Sequence, residues 1–139
     1  MPRPTDADVF RLTAGSQIAL RVNVHADEAT EGKLIGRKRD EWVERTVKAV
    51  VYYDTESQYA GSVRVELPSG ELVGWVMKAD QKLAGQLLDG VSKARKRRDR
   101  KRPLVLEVSL RVEGERSDDV VDLDDVVVRV KDPVEAKPV

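Results

Sequence analysis

Valine and leucine alternating with other side chains dominate this chain, most cleanly in Leu104–Val112. There Leu104, Leu106, Val108, Leu110 and Val112 are interleaved with Val105, Glu107, Ser109 and Arg111. Successive side chains of an extended strand point to opposite faces of a sheet, so a period of two predicts a strand with one buried face. Valine supplies 23 of the 139 residues, and its branched Cβ fits a pleated surface better than a helix. In Gln17–His25, residues Ile18, Leu20, Val22 and Val24 face one way, while Gln17, Arg21, Asn23 and His25 face the other. Thr46–Tyr53 is apolar on both faces, with Val47, Ala49, Val51 and Tyr53 opposed by Val50 and Tyr52. That predicts a more deeply buried strand. Ser62–Leu67 and Glu71–Met77 flank Pro68-Ser69-Gly70, whose proline presets φ and whose glycine accepts a positive φ. Residues 62–77 therefore read as a β-hairpin. A last strand is expected over Val126–Val130.

One short helix breaks this series. Asp80 is placed to cap it, Leu83 with Leu87 and Ala84 with Leu88 form i,i+4 pairs, and Gly90 suits its exit. Ala26–Asp40 reads as a charged loop or weak hairpin. Five or six short strands with one short helix predict a mainly β fold, a small SH3-like or OB-like barrel. Closure hides the edges that a short sheet would otherwise expose. The expected organisation is a flexible N-terminus over 1–8, one barrel domain over 9–130 and a flexible tail over 131–139. At this length there is room for one modest core only.

Composition removes several classes of function. Cysteine is absent and His25 is the single histidine, which excludes thiol catalysis and disulfide scaffolds and leaves little for a metal site or a catalytic triad. The seven serines lack a nucleophile-elbow setting, and no G-x-x-x-x-G-K-[ST] phosphate loop occurs. The expectation is a non-enzymatic protein without a cofactor or metal. No apolar run exceeds the five residues Ala49–Tyr53, and the start Met-Pro-Arg-Pro-Thr-Asp-Ala-Asp carries no apolar leader. A soluble, cytoplasmic domain with no membrane contact is expected.

Formal net charge is zero, from 25 Lys+Arg and 25 Asp+Glu, yet the charges are sorted along the chain. Lys93, Arg95, Lys96, Arg97, Arg98, Arg100, Lys101 and Arg102 fall within ten residues beside one acid, Asp99. Glu113, Glu115, Asp118, Asp119, Asp122, Asp124 and Asp125 form the opposite block, in which Asp118–Asp125 reads as a solvated acidic turn between two strands. Clustered cations suit phosphate, because affinity for nucleic acid comes largely from neutralising phosphates and releasing counterions. Aromatic rings add base stacking, and Tyr59, in the loop 54–61, is the ring expected to be exposed. Trp75 lies in an apolar strand and reads equally well as core.

At residues 47–90 the order of features resembles the HIRAN domain. Val47-Lys-Ala-Val-Val-Tyr-Tyr-Asp54 looks like that family's strand leading into its acidic loop, and Gly61-Ser-Val-Arg-Val-Glu-Leu-Pro-Ser-Gly70 like its next strand and turn. Leu72-Val-Gly-Trp-Val-Met-Lys78 resembles its Gly-Tyr/Trp strand, and Asp80–Leu88 its short helix. The family's loop carries Asn-Pro-x-Asp, whereas this loop reads Thr55-Glu-Ser-Gln-Tyr-Ala60, with Tyr59 near the Asp position. The resemblance implies a small barrel that binds single-stranded DNA, with Trp75 and Lys78 matching the family pattern. The leading expectation is a non-catalytic nucleic-acid-binding module using Lys93–Arg102 for phosphates, with Tyr59 and Lys78 in the site. The alternative is a protein-interaction or assembly module whose oppositely charged ends meet another subunit.

Overall fold

The alternating segments become strands of one sheet. The computed structural model describes residues 3–12, 18–117, 120–130 and 136–139. Its elements are β1 (Asp8–Leu12), β2 (Ile18–Val24), α1 (Glu28–Ile35), β3 (Trp42–Tyr53), β4 (Val63–Glu66), β5 (Leu72–Val76), α2 (Gln81–Lys93), β6 (Leu104–Ser117), β7 (Val120–Val130) and β8 (Ala136–Pro138). Short 3-10 turns at Lys78–Asp80 and Arg97–Lys101 lead into and follow α2. Gln17, Asp118, Asp119 and the first residues of the expected tail lie outside the described residues.

Six strands close into an antiparallel barrel in the order β3-β4-β5-β2-β7-β6, with β6 pairing back onto β3. The closing seam is long, from Trp42↔Glu115 to Val51↔Leu106. β4 and β5 form the expected antiparallel hairpin. The fold is thus the small, mainly β barrel that the alternation predicts. The start of β6 extends beyond β7, and there β1 lies parallel to it, from Asp8↔Leu104 to Arg11↔Glu107. β8 then adds to β1. Part of both expected flexible ends is therefore sheet, and Arg3 also donates to the carbonyls of Leu67 and Pro68.

The core is the inward face of the barrel: Leu20, Val22, Val51, Val63, Val65, Val73, Leu106, Leu110, Val112 and Val128 are all buried. α2 adds Ala84, Leu87, Leu88 and Val91, a stripe at i, i+3, i+4 and i+7. Leu83, expected on that stripe, is 46% exposed. It sits about a quarter turn from the stripe's centre. The helix also continues through Gly90 to Lys93. Glycine inside a helix costs ~1 kcal/mol relative to alanine, while burying Val91 gains roughly 1.5–3 kcal/mol, so continuation wins. Asp80 forms no side-chain cap on α2. Its carboxylate instead accepts from the backbone N–H, Nε and Nη2 of Arg21.

Two further expectations change. The charged segment 26–40 contains α1, started by Asp27, whose Oδ1 accepts from the Thr30 N–H at 2.8 Å. Its buried side chains are Thr30, Leu34 and Ile35. Of the acidic residues expected in a turn, Asp122, Asp124 and Asp125 lie instead on β7, within the long β6–β7 hairpin. Asp122 and Asp124 are exposed while Val121 and Leu123 pack against the core, so the acids occupy the outer face of a strand. No helix among the described residues is long and apolar enough to cross a membrane.

Candidate nucleic-acid interface

Strand β5 contributes Val73 and Val76 to the core, although strict alternation would put them on opposite faces. The register against β4 shifts between Val65 and Glu66, with Val65↔Gly74 followed by Glu66↔Leu72. A bulge of this kind re-aims the side chains around it. Trp75 therefore lies half-buried on the outer surface, flanked by Arg64 of β4 and Asn23 of β2 at the same register. Gly74 permits the close approach of β2, since a Cβ there would come within 2.0 Å of the Asn23 carbonyl oxygen.

Polar partners hold the Trp75 ring in place. Its Nε1 donates to Asp54 Oδ2 at 2.9 Å. His25 meets it edge-on with centroids 5.3 Å apart, and the Arg64 guanidinium carbon lies 5.5 Å from its centroid. The ring is one wall of a cavity of about 710 Å³ whose lining includes Asn23, His25, Tyr59, Lys78 and Gln81 and no acidic side chain. Tyr59 is 68% exposed at its mouth. The loop that carries it is braced from several sides. Asp54 Oδ1 accepts from the Glu56 N–H, Ser62 Oγ donates to the Tyr59 carbonyl, and Gln81 Nε2 donates to the Ala60 carbonyl at 2.8 Å. Lys78 stands on the 3-10 turn that Asp80 ties to Arg21. Hydrogen bonds from Arg21 hold the Asp80 carboxyl below its ordinary pKa.

The basic run forms a separate surface at the far end of α2, which at 13 residues is ~20 Å long. Its eight cations are not equivalent. Arg95 is 7% exposed, and its guanidinium donates to Asp8 Oδ2 at 2.8 Å, to the Arg102 carbonyl at 3.0 Å and to Ser92 Oγ at 2.6 Å. It is an internal strut of the loop. Arg100 donates to the carbonyls of Arg95 and Lys93, while Arg102 pairs with Asp8 and Asp99, and Arg98 with Asp99. Lys93, Lys96, Arg97 and Lys101 are exposed and have no side-chain partner among the described residues. Between the two surfaces, Tyr53 packs on α2 with its hydroxyl 3.0 Å from Asp89 Oδ1. Burial and that carboxylate push its pKa up to about 12.

Tyr59 and Lys78 thus share one cavity, and the basic run lines another, with Arg100, Lys101 and Arg102 facing Tyr53, Thr55 and Glu56. Sequence reasoning left Trp75 undecided between site and core, and did not place His25, Asn23, Arg64 or Gln81 in the site. The alternation Asn23/His25 against Val22/Val24 could have pointed to two of them, but the position of Trp75 depends on the bulge. Among the described residues, no group of three or more His, Asp or Glu side chains is placed to hold a metal ion. Comparison with protein-family models, with curated proteins and with solved structures found no match to this chain.

Proposed function

We propose that this protein is a HIRAN-like, non-catalytic module that binds single-stranded nucleic acid, with DNA as the favoured form. The observation that carries the reading is the pre-formed groove on the outer face of β2 and β5. There Trp75 and Tyr59 offer rings, Lys78 offers positive charge, and no carboxylate lines the cavity. Stacking of a base on an aromatic side chain contributes ~1–3 kcal/mol and tolerates any base. A strand seated there has a second electrostatic contact available along α2, at Lys93, Lys96, Arg97 and Lys101. The His25 ring and the Asn23 side chain stand beside Trp75 and supply hydrogen-bonding groups to a base edge.

The test is binding of a fluorescent single-stranded oligonucleotide at low salt, by anisotropy, to the wild-type chain and to Trp75→Ala and Tyr59→Ala. Saturable binding weakened by both substitutions supports the reading. No binding by the wild-type chain, or equal binding by all three proteins, overturns it.

A second reading rests on charge placement. The basic segment precedes β6, while Glu113, Glu115, Asp122 and Asp124 lie at its other end in the β6–β7 hairpin. Complementary ends of two copies would then meet head to tail, an association that salt screens.

A further inference from the structure

At the end of the barrel away from α2, helix α1 lies over the starts of β3 and β7 and the end of β6. Beneath it opens a cleft of about 960 Å³. This size is at the upper end of cavities that take small molecules. The cleft shares no residue with the groove around Trp75. Its lining includes Trp42, which keeps 53% of its surface exposed, together with Arg37, Lys38, Arg45 and Arg116.

One glycine within α1 and the glycine that ends it make room for two of these arginines. A Cβ at Gly32 would lie 2.6 Å from Arg116 Nη2, and one at Gly36 would lie 2.5 Å from Arg45 Nη1. Gly36 is the C-cap, outside the helix with a φ of 86°, and both arginines line the same cleft. Arg45 has a structural task there: its Nη1 donates to the carbonyls of Lys33 and Leu34 at the helix end. Arg116 has none of this kind. Its Nε is buried and meets no acceptor among the described residues. Gly32 weakens an eight-residue helix that is already short. What its missing side chain admits is a guanidinium that meets no anion among the described residues.

The remaining charges leave the cleft positive. Lys33 is paired with Glu71, and Glu44 with Arg111. Arg37, Lys38, Arg45 and Arg116 then outnumber the two acidic lining residues, Glu28 and Glu44. A guanidinium fork suits an anion with several oxygens, and the Trp42 face suits a flat ring. We propose that this cleft binds a mononucleotide, its base stacked on Trp42 and its phosphates held by Arg116 with Arg37 and Lys38.

The chain has two tryptophans, Trp42 and Trp75, so Trp75→Phe leaves Trp42 as the sole indole reporter. Titration of that variant with ADP is expected to quench its emission saturably, whereas adenosine at the same concentrations leaves it unchanged. Adding Arg116→Gln is expected to weaken ADP binding at least tenfold, with the far-ultraviolet circular dichroism retained. Calorimetry of Trp42→Ala with ADP, in a chain that keeps Trp75, is expected to show a similar loss. The proposal is overturned by no saturable quenching up to ~1 mM ADP, the weak end of specific affinities. Equal response to adenosine and ADP overturns it too, as does unchanged affinity in folded Arg116→Gln. Quenching of Trp42 by a single-stranded oligonucleotide but not by ADP overturns it as well, and would make the cleft part of a polynucleotide path. Oligonucleotide binding by the wild-type chain is measured separately, so failure of either proposal leaves the other standing.

Discussion

Trp75 Nε1 donates to Asp54 Oδ2 across 2.9 Å, tying the outward ring of β5 to the residue that opens the Tyr59 loop. The same carboxylate accepts from the Glu56 N–H through its other oxygen. One side chain therefore sets both the ring and the loop, and the groove between them is formed before any ligand arrives. Asp54→Ala is expected to weaken binding of a single-stranded oligonucleotide about tenfold, within the ~1–3 kcal/mol range of one lost stacking contact. Anisotropy at two salt concentrations checks this, with the salt slope unchanged because no phosphate contact is removed.

Charge in the basic segment divides between folding and binding. Replacing Lys96, Arg97 and Lys101 with serine is expected to reduce the salt slope of single-strand binding by about 2, at ~0.7 per phosphate contact. The melting temperature should stay nearly constant. Arg95→Ala is expected to do the reverse. It leaves Asp8 with only its longer contact to Arg102 and the Arg102 carbonyl without its donor, and breaking a buried pair costs about 3 kcal/mol. Urea denaturation of the two variants separates these effects.

In the core, Leu106 and Leu110 face inward from β6 and are wholly buried. Truncating either to alanine should cost ~2–5 kcal/mol, combining lost burial with the cavity left behind. Chemical denaturation provides the measurement. A loss under about 1 kcal/mol for both would remove β6 from the centre of the core.

Acid should destabilise the fold through Asp80. Its folded-state pKa is depressed by the side-chain and backbone hydrogen bonds from Arg21, so the unfolded chain binds the proton first as pH falls. The stabilising contribution is fully present above the unfolded value near 4 and is lost as pH drops through the lower folded value. Asp27 behaves in the same direction, its pKa lowered by the Thr30 N–H. Asp80→Asn is expected to lower stability at pH 7 and to flatten its decline between about pH 5 and 2. Denaturation midpoints across that range report both, and an unchanged slope would count against the Arg21 pair.

Local patterns carried most of the barrel. The period of two in Leu104–Val112 and in residues 62–77 is written in adjacent residues, because alternation follows from strand geometry alone. The Ala84, Leu88 and Gly90 region carried a helix for the same reason. α1 was concealed because its apolar residues, Leu34 and Ile35, are adjacent in a charged segment and show no period. Its one legible mark was Asp27 ahead of Thr30, a cap without a stripe.

Of the candidate site, Tyr59 and Lys78 could be read directly, as an aromatic in a polar loop and a lysine after a strand. Arg95 could not be told from its neighbours. Eight cations look alike in one dimension, and only the arrival of Asp8 on β1, 87 residues away, buries one of them. Trp75 likewise depended on a register shift between β4 and β5, which no window of β5 contains. The sequence by itself determined where strands form and how charge is sorted along the chain, since both depend on near neighbours. The tertiary structure alone decided which ring faces outward, which arginine is structural and where α1 opens a cleft. Those outcomes follow from contacts between distant segments, whose energies no local pattern records.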